Sequence, residues 1–159
     1  MKGNPEVIAI LNEALHEELE AINQYFLHAE MCENWHYHKL AKFIQKQSID
    51  EMRHAEKLIE RILFLDGIPQ MSDALKINIG KSVKDQLTGD LKLEIEAVAM
   101  YNRFAQIARD AGDNTTSDLF KALLEDEEKH VDWLEAQAHQ IKELGYERYL
   151  TQQIGEGEE

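Results

Sequence analysis

Asp50-Glu51-Met52-Arg53-His54 and Asp126-Glu127-Glu128-Lys129-His130 are one motif written twice, 76 residues apart. At the same shift Glu18-Leu19-Glu20-Ala21-Ile22-Asn23-Gln24-Tyr25 falls on Glu94-Ile95-Glu96-Ala97-Val98-Ala99-Met100-Tyr101. The chain is a duplicated helix pair, and each half carries a Glu followed 33 residues later by Glu-x-x-His. Residues three apart share a helical face, so Glu51 points with His54 and Glu127 with His130. Glu18, Glu51, His54, Glu94, Glu127 and His130 make four carboxylates and two imidazoles in approximate twofold symmetry. That is a ligand set for two metal ions inside a helical bundle.

The flanking periodicity sets the helices. Asn4 caps the first, with Pro5 at its opening position. Ile8, Leu11, Leu15, Ile22, Tyr25 and Ala29 then recur in steps of three and four, and Glu18 fills the gap in that seam. This helix is predicted to reach about Asn34. The second runs from near Tyr37 to Leu65 or Asp66, with Leu40, Ile44, Gln47, Glu51, His54, Leu58, Ile62 and Leu65 inward, and Gly67 and Pro69 stop it. Ile68 to Lys81 has weak periodicity and is long enough to cross a bundle, so the third helix need not be antiparallel to the second. Ser82-Val83-Lys84-Asp85 opens the third helix as a capping-box variant. Its inward row is Val83, Leu87, Leu91, Glu94, Val98, Tyr101, Ala105 and Ala108. Gly112 ends it, and Asn114, Thr115 or Thr116 starts the fourth. Phe120, Leu123, Glu127, His130, Leu134, Ile141 and Leu144 line the fourth helix's core face, and Gly145 stops it. A short fifth helix is expected over about 147–154, then an acidic tail over 155–159. The expectation is one all-α domain over residues 1–159, a four-helix bundle built from pairs at about 5–66 and 82–145 with a long crossover between them.

Composition agrees. Eight Gly and two Pro in 159 residues leave room for long helices. The single Cys32 excludes an intrachain disulfide and any site built from cysteine pairs. The net charge of -14 argues against nucleic-acid binding, which wants a basic face. No apolar run approaches the roughly 18 residues of a membrane span, and no signal peptide opens the chain, so a cytoplasmic protein is expected.

Burying four carboxylates without partners would cost several kcal/mol per ion. Two divalent cations offset their charge, and two neutral imidazoles leave the filled site uncharged. Oxygen-rich ligation with one imidazole per metal suits iron or manganese better than copper or structural zinc. Buried salt bridges to Lys or Arg are the competing reading, and the doubled motif with its equal spacings argues against it. Asp126 is expected to accept from the outer ring nitrogen of His54, and Asp50 from that of His130. Tyr25 and Tyr101, seven residues after Glu18 and Glu94, are each placed to donate an electron or a hydrogen bond near the metals; core packing is the competing role for both, above all for Tyr101. His16, His28, His36, His38 and His139 show no paired spacing and are expected at the surface or an interface.

The opening Met1-Lys2-Gly3, the segment Ala21-Ile22-Asn23-Gln24-Tyr25-Phe26-Leu27-His28, and the runs Ser48 to Leu65 and Asp126 to Glu135 resemble bacterioferritin, a haem-containing member of the ferritin-like superfamily. The resemblance covers essentially Met1 to Ile154. It implies a ferritin-like bundle and a cage of 24 subunits that oxidises Fe(II), with dioxygen or hydrogen peroxide as oxidant, and stores ferric mineral. The six residues above match the family's ferroxidase ligands one by one. The resemblance further implies haem b shared between two subunits, with Met52 as axial ligand and Leu19, Ile22, Asn23, Phe26 and Ile49 lining its pocket. A ferredoxin is the implied electron donor for iron release. Gln45 departs from an aromatic often found there, and Lys46 stands where many members carry a His that binds iron with the residue at Asp50. The alternatives are a di-iron peroxidase or oxidase like rubrerythrin, which the lack of a Cys-x-x-Cys module disfavours, and a non-catalytic haem-binding assembly protein.

Overall fold

The computed structural model describes residues 1–156. Five helices follow in order: α1 (Pro5–Asn34), α2 (His38–Phe64), α3 (Val83–Asp110), α4 (Asn114–Leu144) and the short α5 (Tyr146–Thr151). No strand occurs among the described residues. Caps written in the sequence set the starts. Asn4 accepts from the Glu6 N–H, Ser82 from that of Asp85, and Asp113 from that of Thr116. The fourth helix is therefore capped by Asp113 and opens at Asn114. Asp113 is the stronger acceptor, and it also takes the Thr116 hydroxyl and the Arg61 guanidinium at 3.0 Å.

The stop after α2 is made by Asp66, which holds the left-handed turn at φ 58°, while Gly67 donates back to the Ile62 carbonyl at 2.9 Å. Gly67 serves close packing instead: a Cβ there would lie 2.8 Å from Cγ2 of Ile8 on α1. The fifth helix is shorter than expected, ending at Thr151. The Gln153 carbonyl accepts from the Lys39 N–H at 3.1 Å, which holds the chain to the start of α2 and draws it out of helical geometry. Of the expected tail, residues 157–159 lie outside the described residues.

The crossover decides the topology. The Ile68 carbonyl and Gln70 N–H bond Asn12, the Lys76 N–H bonds Glu20, the Asn78 N–H bonds Gln24, and the Gly80 N–H bonds His28. Residues 68–80 therefore run along α1 from its first third to its end, and α3 starts beside the start of α2 and parallel to it.

The inward row of α2 is buried throughout, from Leu40 to Leu65. On α1 the buried stripe is wider and shifted, taking Val7, Ile10 and Ala14 while Ile8 and Ile22 stay partly exposed, because α1 packs on both α2 and α3. Leu91 and Val98 of α3 and Ile141 of α4 are partly buried, and Leu144 is 46% exposed. Two apolar clusters result, one toward each end of the bundle. The six metal-binding candidates sit between them.

Candidate metal centre

α1 supplies Glu18, α2 supplies Glu51 and His54, α3 supplies Glu94, and α4 supplies Glu127 and His130. All six are between 0% and 8% exposed. Their ligand atoms fall into two groups, Glu18, Glu51, His54 and Glu127, and Glu51, Glu94, Glu127 and His130, each within 4.8 Å. Glu51 and Glu127 belong to both. The motif's first Glu thus serves one group with its own His and the other across the bundle.

Each ring presents Nδ1 to the carboxylates. His54 Nδ1 lies 2.9 Å from Glu127 and 3.6 Å from Glu18, and His130 Nδ1 lies 2.9 Å from Glu51 and 3.4 Å from Glu94. The Nε2 atoms face outward to the expected aspartates: Asp126 stands 3.0 Å from His54, and Asp50 stands 3.6 Å from His130. A neutral imidazole that donates its Nε2 proton to a carboxylate offers the Nδ1 lone pair to a cation. Both tyrosines reach across the halves. The Tyr25 hydroxyl donates to Glu94 and the Tyr101 hydroxyl donates to Glu18. Of the two roles open to Tyr101, packing and a hydrogen bond near the metals, it takes both, beside Phe120 and on Glu18.

The protein leaves this cluster incomplete. Glu18 Oε2, Glu51 Oε1, Glu94 Oε2, Glu127 Oε2 and His130 Nδ1 are buried with no hydrogen-bond partner of acceptable geometry. Native interiors hold few such atoms. Burial, with Glu127 beside it, raises the Glu18 pKa; burial, with Glu127 again, raises that of Glu94. Burial and the charges of Glu18 and Glu94 push Glu51 up to about 8. For His54 burial disfavours the cation, but the carboxylates of Glu127, Glu18 and Glu51 around its Nδ1 outweigh it and raise the pKa; His130 behaves alike among Glu127, Glu51 and Glu94. The cluster without metal therefore gathers protons, which occupy the place of positive charge. No Lys or Arg ion-pairs with any of the four glutamates, so the competing salt-bridge reading has no cation to stand on among the described residues.

Two openings lead in. Between α1 and α3, Glu17, Ala21, Leu93 and Ala97 border a passage of about 10 Å³ over the four glutamates, room for about one water. Between α2 and α4 a pocket of about 390 Å³ reaches His54 and His130 from outside. Met52 points away from the metals and is 55% exposed, with Phe26 and Ile49 also exposed. The Ser48 hydroxyl donates to the Ile22 carbonyl at 2.8 Å, so Met52, one turn further along α2, is level with Leu19.

His28 corrects the surface assignment. It is fully buried, with Nδ1 at 2.9 Å from Asp90 and Nε2 accepting the Gly80 N–H at 3.0 Å. His28 stands three residues after the inward Tyr25, and Asp90 lies between the inward Leu87 and Glu94, so the helical register carried that signal. His16 and His38 are partly exposed and His36 and His139 exposed, as expected.

The ferritin-like domain family matches residues 8–144. A bacterioferritin of Mycolicibacterium paratuberculosis is 43% identical over 152 residues, 96% of each chain. A bacterioferritin of Brucella melitensis is 46% identical over 149 residues, 94% of this chain and 92% of its own. Among solved structures, a mycobacterial bacterioferritin superposes with a TM-score of 0.96 at 39% identity, covering 98% of this chain and 96% of the other.

Proposed function

The chain belongs to the bacterioferritins within the ferritin-like fold, a kinship that supports iron storage, and on that premise we propose that it is a ferroxidase. Iron is its substrate. Glu18 with His54 holds one Fe(II), Glu94 with His130 holds the other, and Glu51 and Glu127 lie between and serve both. The observation that carries this reading is the pair of overlapping ligand groups in which each of the four glutamates keeps one buried oxygen without a hydrogen-bond donor. Ionised, the four glutamates balance two Fe(II) ions. Together the two ions give two electrons to dioxygen, which with two protons leaves as hydrogen peroxide; with hydrogen peroxide as oxidant the product is two waters. Oxidation adds two positive charges, which favour loss of protons from water and expulsion of Fe(III) towards mineral. Tyr25, by donating to Glu94, fixes one ligand oxygen while leaving the other for iron. The raised pKa of Tyr25, from burial first and the charge of Glu94 second, keeps that proton in place.

The proposal includes a cage of 24 copies built from dimers, a cytoplasmic location and a ferredoxin that returns electrons for release, and kinship with bacterioferritins is what supports it. Haem b fits the residues present. Met52 offers a thioether on a surface that Phe26 and Ile49 make apolar, flanked by the partly buried Leu19 and Ile22, with Asn23 beside them. When bound there, haem supplies one-electron reduction for iron release. No described helix is long and apolar enough to cross a membrane.

Rapid mixing with two Fe(II) per chain tests the proposal. Wild type is expected to oxidise iron in a fast phase that Glu51→Gln slows on the order of a hundredfold, because both ions lose a ligand. Equal rates for the two proteins would sink the ferroxidase, and light scattering that finds nothing larger than a dimer would sink the storage cage.

A further inference from the structure

The pocket between α2 and α4 has a charge opposite to that of the protein around it. The chain carries 31 acidic residues against 17 basic ones, yet Lys46, Arg53, Lys57 and Lys129 all line this pocket, against two carboxylates, Asp50 and Asp126. Those two carboxylates are already turned to the imidazole N–H groups of His130 and His54. Lys46 and Lys57 make no ion pair within 4.0 Å among the described residues, Arg53 reaches Asp50 only at 3.9 Å, and Lys129 alone is held, by Asp126 at 3.5 Å and Glu125 at 4.0 Å. Lys46, Arg53 and Lys57 follow one another by seven and four residues, so helical geometry puts them on one stripe of α2. The floor adds a second, independent feature. Gln47 is 2% exposed, lines the pocket, and both its Nε2 and its Oε1 lack any partner. A buried amide donor without an acceptor costs free energy unless a ligand supplies one. Phe43 stacked on Trp133, 4.0 Å between ring centres, walls one side and lowers the local dielectric.

The ammonium groups of Lys46 and Lys57, the loosely held Arg53 guanidinium and an unmet amide N–H, all lining about 390 Å³, describe a receptor for a compact multivalent anion with several acceptor oxygens. A metal cation does not answer this set, because the cations outnumber the acids. We propose that the α2–α4 pocket binds inorganic phosphate at the histidine edge of the metal centre. The narrow opening between α1 and α3 is acidic, with Glu17 over the four glutamates. The two mouths of the centre therefore differ in sign, one suited to the entry of a cation and the other to an anion. On the ferroxidase reading, phosphate held here meets Fe(III) as it leaves between His54 and His130 and supplies its counter-charge.

The test is an isothermal titration of the assembled, metal-free protein with inorganic phosphate, at constant ionic strength in chloride. Saturable binding of about one phosphate per chain is expected. The double variant Lys46→Glu/Lys57→Glu is expected to weaken it by at least about tenfold, and Lys84→Glu, a charge reversal at the exposed start of α3, to leave it within about twofold. No saturable binding, or equal weakening by both variants, overturns the site and leaves diffuse attraction only. Competition by manganese(II), with tighter metal binding in the double variant, overturns it in favour of a cation pocket at Asp50 and Asp126. The fast Fe(II) oxidation phase, read in phosphate-free buffer, is expected to survive in Lys46→Glu/Lys57→Glu. Its absence in wild type would count against the ferroxidase while leaving phosphate binding to stand or fall separately.

Discussion

The two ends of the bundle are related by the same 76-residue duplication and have been filled in opposite ways. Near the end where α1 stops, Gln24, His28, Cys32, Gln86 and Asp90 are buried. Their counterparts in the other half are Met100, Phe104, Ala108, Ile10 and Ala14, and all five lie in one apolar cluster. Between these ends the repeat is kept. Glu18 and Glu94, Glu51 and Glu127, His54 and His130, and Tyr25 and Tyr101 occupy matching places and bond across the pseudo-twofold axis. The difference follows from what each region must satisfy. A metal pair demands symmetric ligands. The polar end receives the crossover, whose Asn78 and Gly80 N–H groups need acceptors, and Gln24 and His28 provide them. The Gln86 amide closes the arrangement by donating to the Gly80 carbonyl at 3.1 Å.

Substitutions that give one end the character of the other are expected to cost the most stability. Asp90→Ala leaves the Gln24 amide and the His28 N–H without their acceptor, and about 3–5 kcal/mol of stability to denaturant is expected to go. Ala14→Asp, which writes the same carboxylate into the apolar end with no partner, is expected to cost a similar amount. If Asp90→Ala unfolds like wild type, the polar end is not what holds the crossover.

Changing pH sharpens the contrast between the ends and the centre. Glu51 has a folded pKa raised from 4.5 to about 8, so the metal-free protein binds more protons folded than unfolded in that interval. His54 and His130 are shifted the same way. Stability contributed by these protons is fully present below the unfolded values and is lost as pH rises through the folded ones. The metal-free protein is expected to melt at progressively lower temperature from about pH 5 to about pH 8. Bound divalent metal replaces the protons and is expected to flatten or reverse that trend. A melting curve for metal-free protein that rises over this range would contradict the proton-gathering centre.

The smallest test separates the two halves of the centre itself. Asp126 lies 3.0 Å from His54, and Asp50 lies 3.6 Å from His130. Asp126→Asn is therefore expected to weaken metal binding by about tenfold, and Asp50→Asn by less. Titration with cobalt(II), followed by absorption, reads both. Equal effects would mean that the 0.6 Å asymmetry has no consequence for metal affinity.

Much of this architecture was legible in the residue order. Helix faces repeat every three or four residues, and a Glu on an apolar face is conspicuous, so Glu18, Glu51, Glu94 and Glu127 identified themselves, as did the caps at Asn4 and Ser82. The residues misread are those whose partners are distant in sequence. His28 carries no motif and reads as a surface or interface residue, because its partners Asp90 and Gly80 are 62 and 52 residues away and meet it only once the crossover is laid along α1. The spacing leaves Tyr101 open between packing and a hydrogen bond, because its partner Glu18 is 83 residues away.

Local periodicity and the duplication, which act within a few turns of helix, determined by themselves that this chain forms long paired helices with acids and imidazoles turned inward. Only the packed bundle decided which carboxylates are shared, which ring nitrogen faces the metals, and that the two mouths of the centre differ in sign. Those properties depend on atoms from three or four helices meeting within hydrogen-bond distance, and a sequence spacing specifies the face of a helix without specifying its neighbour.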